Sequence, residues 1–258
     1  FKKSLDKIIF QEKLNINLDK NLFLEKYTYL KGFETGIDNT FPGSGYLDFF
    51  NNNLVVISSR GVLGYSPLDK NTFNFKQIEN NIHNFINEQQ FKKHKRFSIK
   101  DLHINNNRIY VSYTEEIEKN CWNMSILSAD FSYSKINFKK LFSPKECIHS
   151  IKNNNNEFNA MQSGGRIISL DNDHIVFSTG EFRSRYLAQN IQSINGKLIK
   201  INIKSSNFKI ISSGHRNVQG LLFDKDEKFL LFTEHGPAGG DEINLLDITK
   251  DTISNYGW

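Results

Sequence analysis

Alternating apolar and polar positions, interrupted by short Asn- and Asp-rich turns, run through most of the 258 residues. Four segments repeat one pattern: an apolar alternation, a tight polar turn, then an apolar run that closes on Ser or Thr. They occupy residues 47–58, 102–112, 168–178 and 221–233. Period-two alternation sends successive side chains to opposite faces of a strand, so each segment predicts a β-hairpin. With Ser58, Ser112, Ser178 and Thr233 as markers, the spacings are 54, 66 and 55 residues. Each spacing is about the length of a four-stranded propeller blade with its loops. Residues 123–131, 135–141 and 197–203, the last after an Asn195-Gly196 turn, supply further strands. No amphipathic helix of convincing length is evident, although residues 78–91 have a loosely helical spacing and predict a short insertion.

Composition adds a packed core and removes several function classes. An apolar content of 38% with 13% aromatics, including 22 Phe, excludes a disordered chain. With only 4 Pro there is no Pro-rich linker, so one all-β domain over residues 1–258 is expected. The net charge of +5 comes from dispersed Lys rather than an Arg-bearing stripe, which argues against a nucleic-acid partner. The single basic cluster, Lys92, Lys93, His94, Lys95 and Arg96, lacks interleaved aromatics and reads as a solvated loop. Cys121 and Cys147 are too few for a disulfide framework and lack the paired spacing of a structural zinc site, which leaves one disulfide open. No apolar run approaches the roughly 20 residues needed to span a bilayer. No signal peptide is visible at the start, but the chain opens on Phe1 rather than Met, so that carries no weight on targeting.

From Gly214 the chain reads GHRNVQGLLFDKDEKFLLFTEHGPAGGDEINLL, followed a few residues later by NYGW. These runs resemble the GxRNPQG, EHGPxGGDEIN and NYGWP motifs of the glucose/sorbosone dehydrogenase family. Upstream, QSGGRIISLDNDHIVFSTGE resembles that family's HxGGRLxFxPDGxLYVxxGD, and NGKLIKINI its GKILRI strand. Before Tyr110 the likeness is architectural only. The resemblance implies a six-bladed β-propeller that holds pyrroloquinoline quinone (PQQ) and calcium over its central funnel and oxidises a sugar or related alcohol. It also implies a periplasmic or secreted location. Four marker hairpins fall short of six blades, so an incomplete, C-terminally truncated ring lacking roughly 90 to 150 residues is expected.

Carried over by motif, Arg216 and Asn217 face the quinone, where a guanidinium stabilises charge developing on a carbonyl oxygen. Arg166, of the GGR segment, joins them as a cofactor-binding residue. Gly236 and Pro237 would offer backbone oxygens to calcium, while Asp241, Glu242 and Tyr256 resemble a second, structural calcium site. Four extra residues separate Glu242 from Tyr256 relative to the usual spacing, and residues 236–240 also read as an ordinary glycine-rich turn.

Oxidation of an alcohol needs a proton acceptor beside the hydroxyl. The family's catalytic His falls four residues before the Arg of HxGGR, which in this chain is Gln162, preceded by Met161. Neither is ionisable. Of the other histidines in this half, His149, His174, His215 and His235, none occupies that position. His174 reads as surface, and His215, beside Arg216, as structural although near the cofactor. Residues 182–186, FRSRY, read as an exposed blade loop or as cations at the funnel mouth.

Two functions follow. One is a PQQ-dependent aldose dehydrogenase-like enzyme with a small-molecule sugar or alcohol substrate; the other is a non-catalytic propeller that binds carbohydrate or a protein partner. Hydrolase readings rank far lower, because no nucleophile elbow or zinc motif is present.

Overall fold

The computed structural model describes residues 12–19, 22–28, 45–68, 75–94, 96–153 and 157–258. The first two segments are the antiparallel pair β1 (Glu12–Asp19) and β2 (Leu22–Thr28). Four larger sheets follow, each built by strands that succeed one another in the chain. β3 (Gly45–Phe50), β4 (Asn53–Ser58), β5 (Leu63–Pro67) and β6 (Lys76–Asn80) form the first as an antiparallel meander. The second holds β7 (Ile99–Asn105), β8 (Arg108–Glu118) and β9 (Cys121–Asp130). After β9, the short β10 (Lys135–Ile136) crosses back to pair parallel with β6, and β11 (Lys139–Phe142) and β12 (Ile148–His149) then return to β9.

β13 (Gly164–Ser169), β14 (His174–Thr179), β15 (Lys197–Asn202) and β16 (Phe208–Ser213) make the third sheet, and β17 (Val218–Asp224), β18 (Phe229–Glu234) and β19 (Glu242–Asp247) the fourth. A last short strand, β20 (Ser254–Asn255), pairs parallel with β16. The first strands of the four sheets, β3, β7, β13 and β17, touch in that order around a common axis. This is the arrangement of propeller blades, and four blades lie among the described residues.

Local sequence explains the hairpins. Asn51-Asn52 and Asn106-Asn107 hold φ values of 45° and 59°, and 46° and 61°. Paired positive φ is the geometry of a type I′ turn, which Asn tolerates and whose twist suits two-residue hairpins. The predicted insertion differs in part: residues 78–80 of the loosely helical stretch belong to strand β6, because Ile78 is fully buried there. Helix α1 (Glu88–Lys93) follows, with the Asn87 side chain accepting from Gln90 N at its start. Helix α2 (Tyr186–Gln189) sits between β14 and β15.

The cores lie between sheets. Val55, Ile57 and Ile78 meet Leu102, Ile109 and Val111; Met124 and Ile126 meet Ile167, Phe177 and Ile199; Val176 and Leu198 meet Val218, Leu230 and Phe232. A fully buried Leu, Ile or Phe contributes about 1.5–3 kcal/mol, so each seam is held by several such side chains. Polar staples join the inner strands: Asp48 Oδ2 accepts from Ile104 N at 2.7 Å, Asp101 Oδ2 from Ile167 N at 2.7 Å, and Asn217 Oδ1 from Gly164 N at 3.0 Å. Cys121 and Cys147 are disulfide-bonded, Cα to Cα 5.3 Å. Among the described residues, no helix is long and apolar enough to cross a membrane.

Candidate functional site

The starts of the four inner strands open onto one cleft of about 500 Å³. Tyr46 enters it from β3, Arg96, Ser98 and Lys100 from β7 and the segment before it, Met161, Gln162 and Ser163 from the approach to β13, and Arg216, Asn217 and Gln219 from the approach to and start of β17. His235 and Gly236 close one side. Three cationic side chains therefore line the cleft, and no carboxylate does. Gln162 and Ser163 are buried, and among the described residues Ser163 Oγ has no hydrogen-bond partner.

Arg216 organises the lip. Its Nη1 donates to His235 O at 3.0 Å and Gly236 O at 2.9 Å, and its guanidinium lies 5.3 Å from the Trp258 ring centre. Its backbone N–H donates to Glu234 Oε2 at 2.9 Å. With its amide oriented so that both ends are satisfied, Gln162 accepts from Arg216 Nη2 at 2.7 Å and donates to Glu181 Oε1 at 2.6 Å. Glu181 is fully buried, and burial pushes its carboxyl up to about 7 against the lowering effects of the Arg183 backbone N–H and of Arg216, Arg185 and Arg183. The turn beneath Arg216 depends on Gly236, where a Cβ would lie 1.7 Å from Gly240 O.

Lys100 reaches the cleft because its neighbour on β13 is Gly165, held at φ +114°, where a Cβ would strike the Lys100 Cβ at 2.5 Å. Its Nζ donates to Ala160 O at 3.3 Å. Burial, aided by Arg96, brings Lys100 down to about 7. Arg166 is not part of the cleft lining. It pairs with Asp101 at 3.0 Å and lies over Tyr46 at 5.7 Å. Burial outweighs that cation and raises Asp101 to about 6.

The residues expected to hold metal are only partly brought together. A second hollow of about 260 Å³ is lined by Gly236, Pro237, Glu242 and Tyr256 together. Asp241 is not in that lining; its Oδ1 accepts from Gly236 N at 3.1 Å. Tyr256 donates its hydroxyl to Leu245 O at 2.7 Å, and Pro237 O accepts from Gly240 N at 2.7 Å. Among the described residues, no group of three or more His, Cys, Asp or Glu is placed to hold a metal.

His215 is fully buried between Ser212 Oγ (2.7 Å) and Glu234 Oε1 (3.1 Å) and stacks on Tyr256, away from the cleft lining. His174 pairs with Asp171, and His149 is exposed on β12. Two loop readings are corrected. Lys92 and Lys93 end helix α1 rather than a loop, and Arg96 lines the cleft because the chain turns inward there into β7. In residues 182–186, Phe182 is fully buried and stacks on Phe158, with Phe182 and Arg183 both at positive φ. A buried aromatic anchors that segment, so it is not an exposed loop throughout.

Lys100, Ser163, Glu181 and Trp258 escaped the sequence reading. The signal for Lys100 was a lysine at the start of a strand whose flanking Phe97, Ile99 and Leu102 are apolar.

The glucose/sorbosone dehydrogenase family model matches residues 98–258. The chain belongs to that family. Aldose sugar dehydrogenase YliI of Escherichia coli (strain K12) is 34% identical over 108 residues, which cover 37% of this chain and 28% of that protein. Two solved structures share the fold. The apo form of the soluble aldose sugar dehydrogenase from Escherichia coli has a TM-score of 0.59 at 23% identity, over 83% of this chain and 62% of that one. The PQQ-bound aldose sugar dehydrogenase from Streptomyces coelicolor has a TM-score of 0.62 at 20% identity, over 89% and 65%. The chain thus spans less than two thirds of the length of these relatives.

Proposed function

We propose that this chain carries the cofactor cleft of a PQQ-dependent aldose dehydrogenase-like enzyme that oxidises a sugar or alcohol C–OH. The observation that carries the reading is a cleft with Arg96, Lys100 and Arg216 in its lining and no acid, bordered by the GHRN and EHGP segments. PQQ is a planar tricarboxylate, so two arginines, Arg96 and Arg216, a lysine that is charged below about pH 7 and an unpartnered buried hydroxyl, Ser163 Oγ, fit its chemistry. Arg216 and Asn217 would hold it at the lip, while Arg166, tied to Asp101, supports the wall. When bound, PQQ supplies a two-electron acceptor. Arg216 then offers a fixed positive charge to oxygen that becomes anionic, and Gln162 keeps that guanidinium oriented.

Calcium is proposed at the Gly236 and Pro237 carbonyls, with a second ion near Asp241, Glu242 and Tyr256. Calcium takes six to eight oxygen ligands, and carbonyls each keep a second lone pair. Binding at Gly236 would require Arg216 to share or release that oxygen. We read the four described blades as part of a six-bladed ring forming one domain, in a periplasmic or secreted protein. The Cys121–Cys147 bond supports an oxidising compartment.

A non-catalytic propeller is favoured by one observation: Gln162, at the family's base position, cannot take up a proton. Titration with PQQ, with and without millimolar calcium, tests both readings. Saturable perturbation of the quinone absorbance and a rise in Tm on adding calcium are expected. Absence of binding would sink the quinoprotein reading, and binding without turnover of any aldose or alcohol would favour the non-catalytic one.

A further inference from the structure

With Gln162 at the base position, the proposed oxidation lacks a proton acceptor there, and the cleft must supply one elsewhere or not turn over. Arginine stays protonated at any working pH, which removes Arg96 and Arg216. His235 is exposed, with its ring facing Asp241 across 3.6 Å. Tyr46 is pushed up to about 12 by burial and by Asp101, too high for a base at neutral pH. Amide nitrogens are not basic, which leaves the Lys100 amine in the lining.

We propose that Lys100 is the proton acceptor for the substrate hydroxyl, an inference that rests on the quinoprotein reading above. Its Nζ donates to Ala160 O, two residues before Gln162, so it stands beside the place the family gives to its base. Gly165 leaves room for its stem. Among the described residues no carboxylate pairs with it, since the adjacent Asp101 is committed to Arg166 and to Ile167 N. The charged and titratable groups around it are Arg96 and His94 before β7, Asp101 beside it, Arg166 on β13, Tyr46 on β3 and Arg216 across the cleft. Burial first, and then the Arg96 charge, favour the neutral amine. An ordinary lysine near 10.4 is almost wholly charged at neutral pH, whereas one near 7 is a competent general base.

The step balances as an alcohol oxidation. The C–H bond leaves as hydride, carrying two electrons to the ortho-quinone oxidant; the O–H bond breaks and its proton passes to Nζ, giving the ammonium; the C–O bond becomes C=O.

The test uses the full chain as wild type, Lys100→Arg, Lys100→Met, Gln162→His, and Lys100→Met with Gln162→His. The first readout needs no cofactor: competitive acetylation across pH, followed by mass spectrometry, compares Lys100 with exposed Lys204. Lys100 is expected to reach half-maximal reactivity near pH 7, where an ordinary lysine is still almost wholly protonated. A midpoint for Lys100 above about 9 overturns the proposal. The second readout is PQQ affinity against turnover. Lys100→Arg fixes a permanent charge that cannot accept a proton, and it is expected to bind PQQ within a few-fold of wild type while kcat falls about 10²- to 10⁴-fold. Adding Gln162→His to Lys100→Met is expected to restore turnover at least tenfold over Lys100→Met alone, while Gln162→His alone adds much less to wild type, where Lys100 already takes the proton; an equal gain in both backgrounds overturns the proposal. Near-wild-type kcat in Lys100→Arg, or wild type that binds PQQ and oxidises nothing, overturns the role of Lys100 and leaves cofactor binding standing. Wild type that binds no PQQ overturns both. Glu181 also titrates near 7, so the acid limb of a pH–rate profile is not used to decide.

Discussion

Glu181 shows how a single residue can couple the site to stability. Burial raises its carboxyl to about 7, so the folded state holds a proton that the unfolded chain releases near 4.5. The folded state binds more protons over that window, and stability must therefore fall as pH rises from about 4.5 to 7. Glu181→Gln removes the ionisation and keeps an oxygen to accept from Gln162. It is expected to raise unfolding free energy by about 1–3 kcal/mol at pH 7.5 and to flatten the pH slope, read by urea denaturation at several pH values. A slope unchanged from wild type would mean that Glu181 ionises normally. At this scale Gln162, Arg216 and Asn217 were legible from the sequence, because motif spacing names residues. The Glu181–Gln162–Arg216 chain was not, because its members come from three separate loops.

Among the elements, β9 carries an unusual load. It pairs with β8, β11 and β12, and the Cys121–Cys147 bond ties its first residue to the segment before β12. The bridge closes a loop of 26 residues, worth about 3.5 kcal/mol on a chain-entropy account. Cys121→Ser with Cys147→Ser is expected to lose about 2–4 kcal/mol in urea denaturation, with PQQ binding retained because the cleft is built by β3, β7, β13 and β17. Loss of binding with the fold intact would show that the second blade's outer strands shape the site. Hairpins were readable in advance wherever Asn pairs met alternation. The parallel crossings of β10 to β6 and β20 to β16 were not, since two-residue pairings leave no periodic trace.

Across the whole molecule, the inner strands are coupled by Asp48, Asp101 and Asn217, each accepting a backbone N–H from a neighbouring blade. Asp101→Ala would strand the Arg166 charge and the Ile167 N–H together. Because the Arg166 side chain is 31% exposed, the loss is expected to fall below the fully buried case, at about 1–3 kcal/mol, and calorimetry should show a correspondingly lowered Tm. An unchanged Tm would place the inter-blade coupling wholly in the apolar seams.

Taken alone, the sequence determined the strand period, the hairpin turns and the family motifs, all of which depend on residues close together in the chain. Which basic groups share a cleft was decided only by tertiary structure. Alternation says that Lys100 lies on one face of β7, but not that this face borders the axis, nor that Gly165 from the next blade leaves space for it. Blade packing brings Arg96 and Lys100 to Gln162 and Arg216, and the resulting burial sets the proton affinities that separate a solvated lysine from a base.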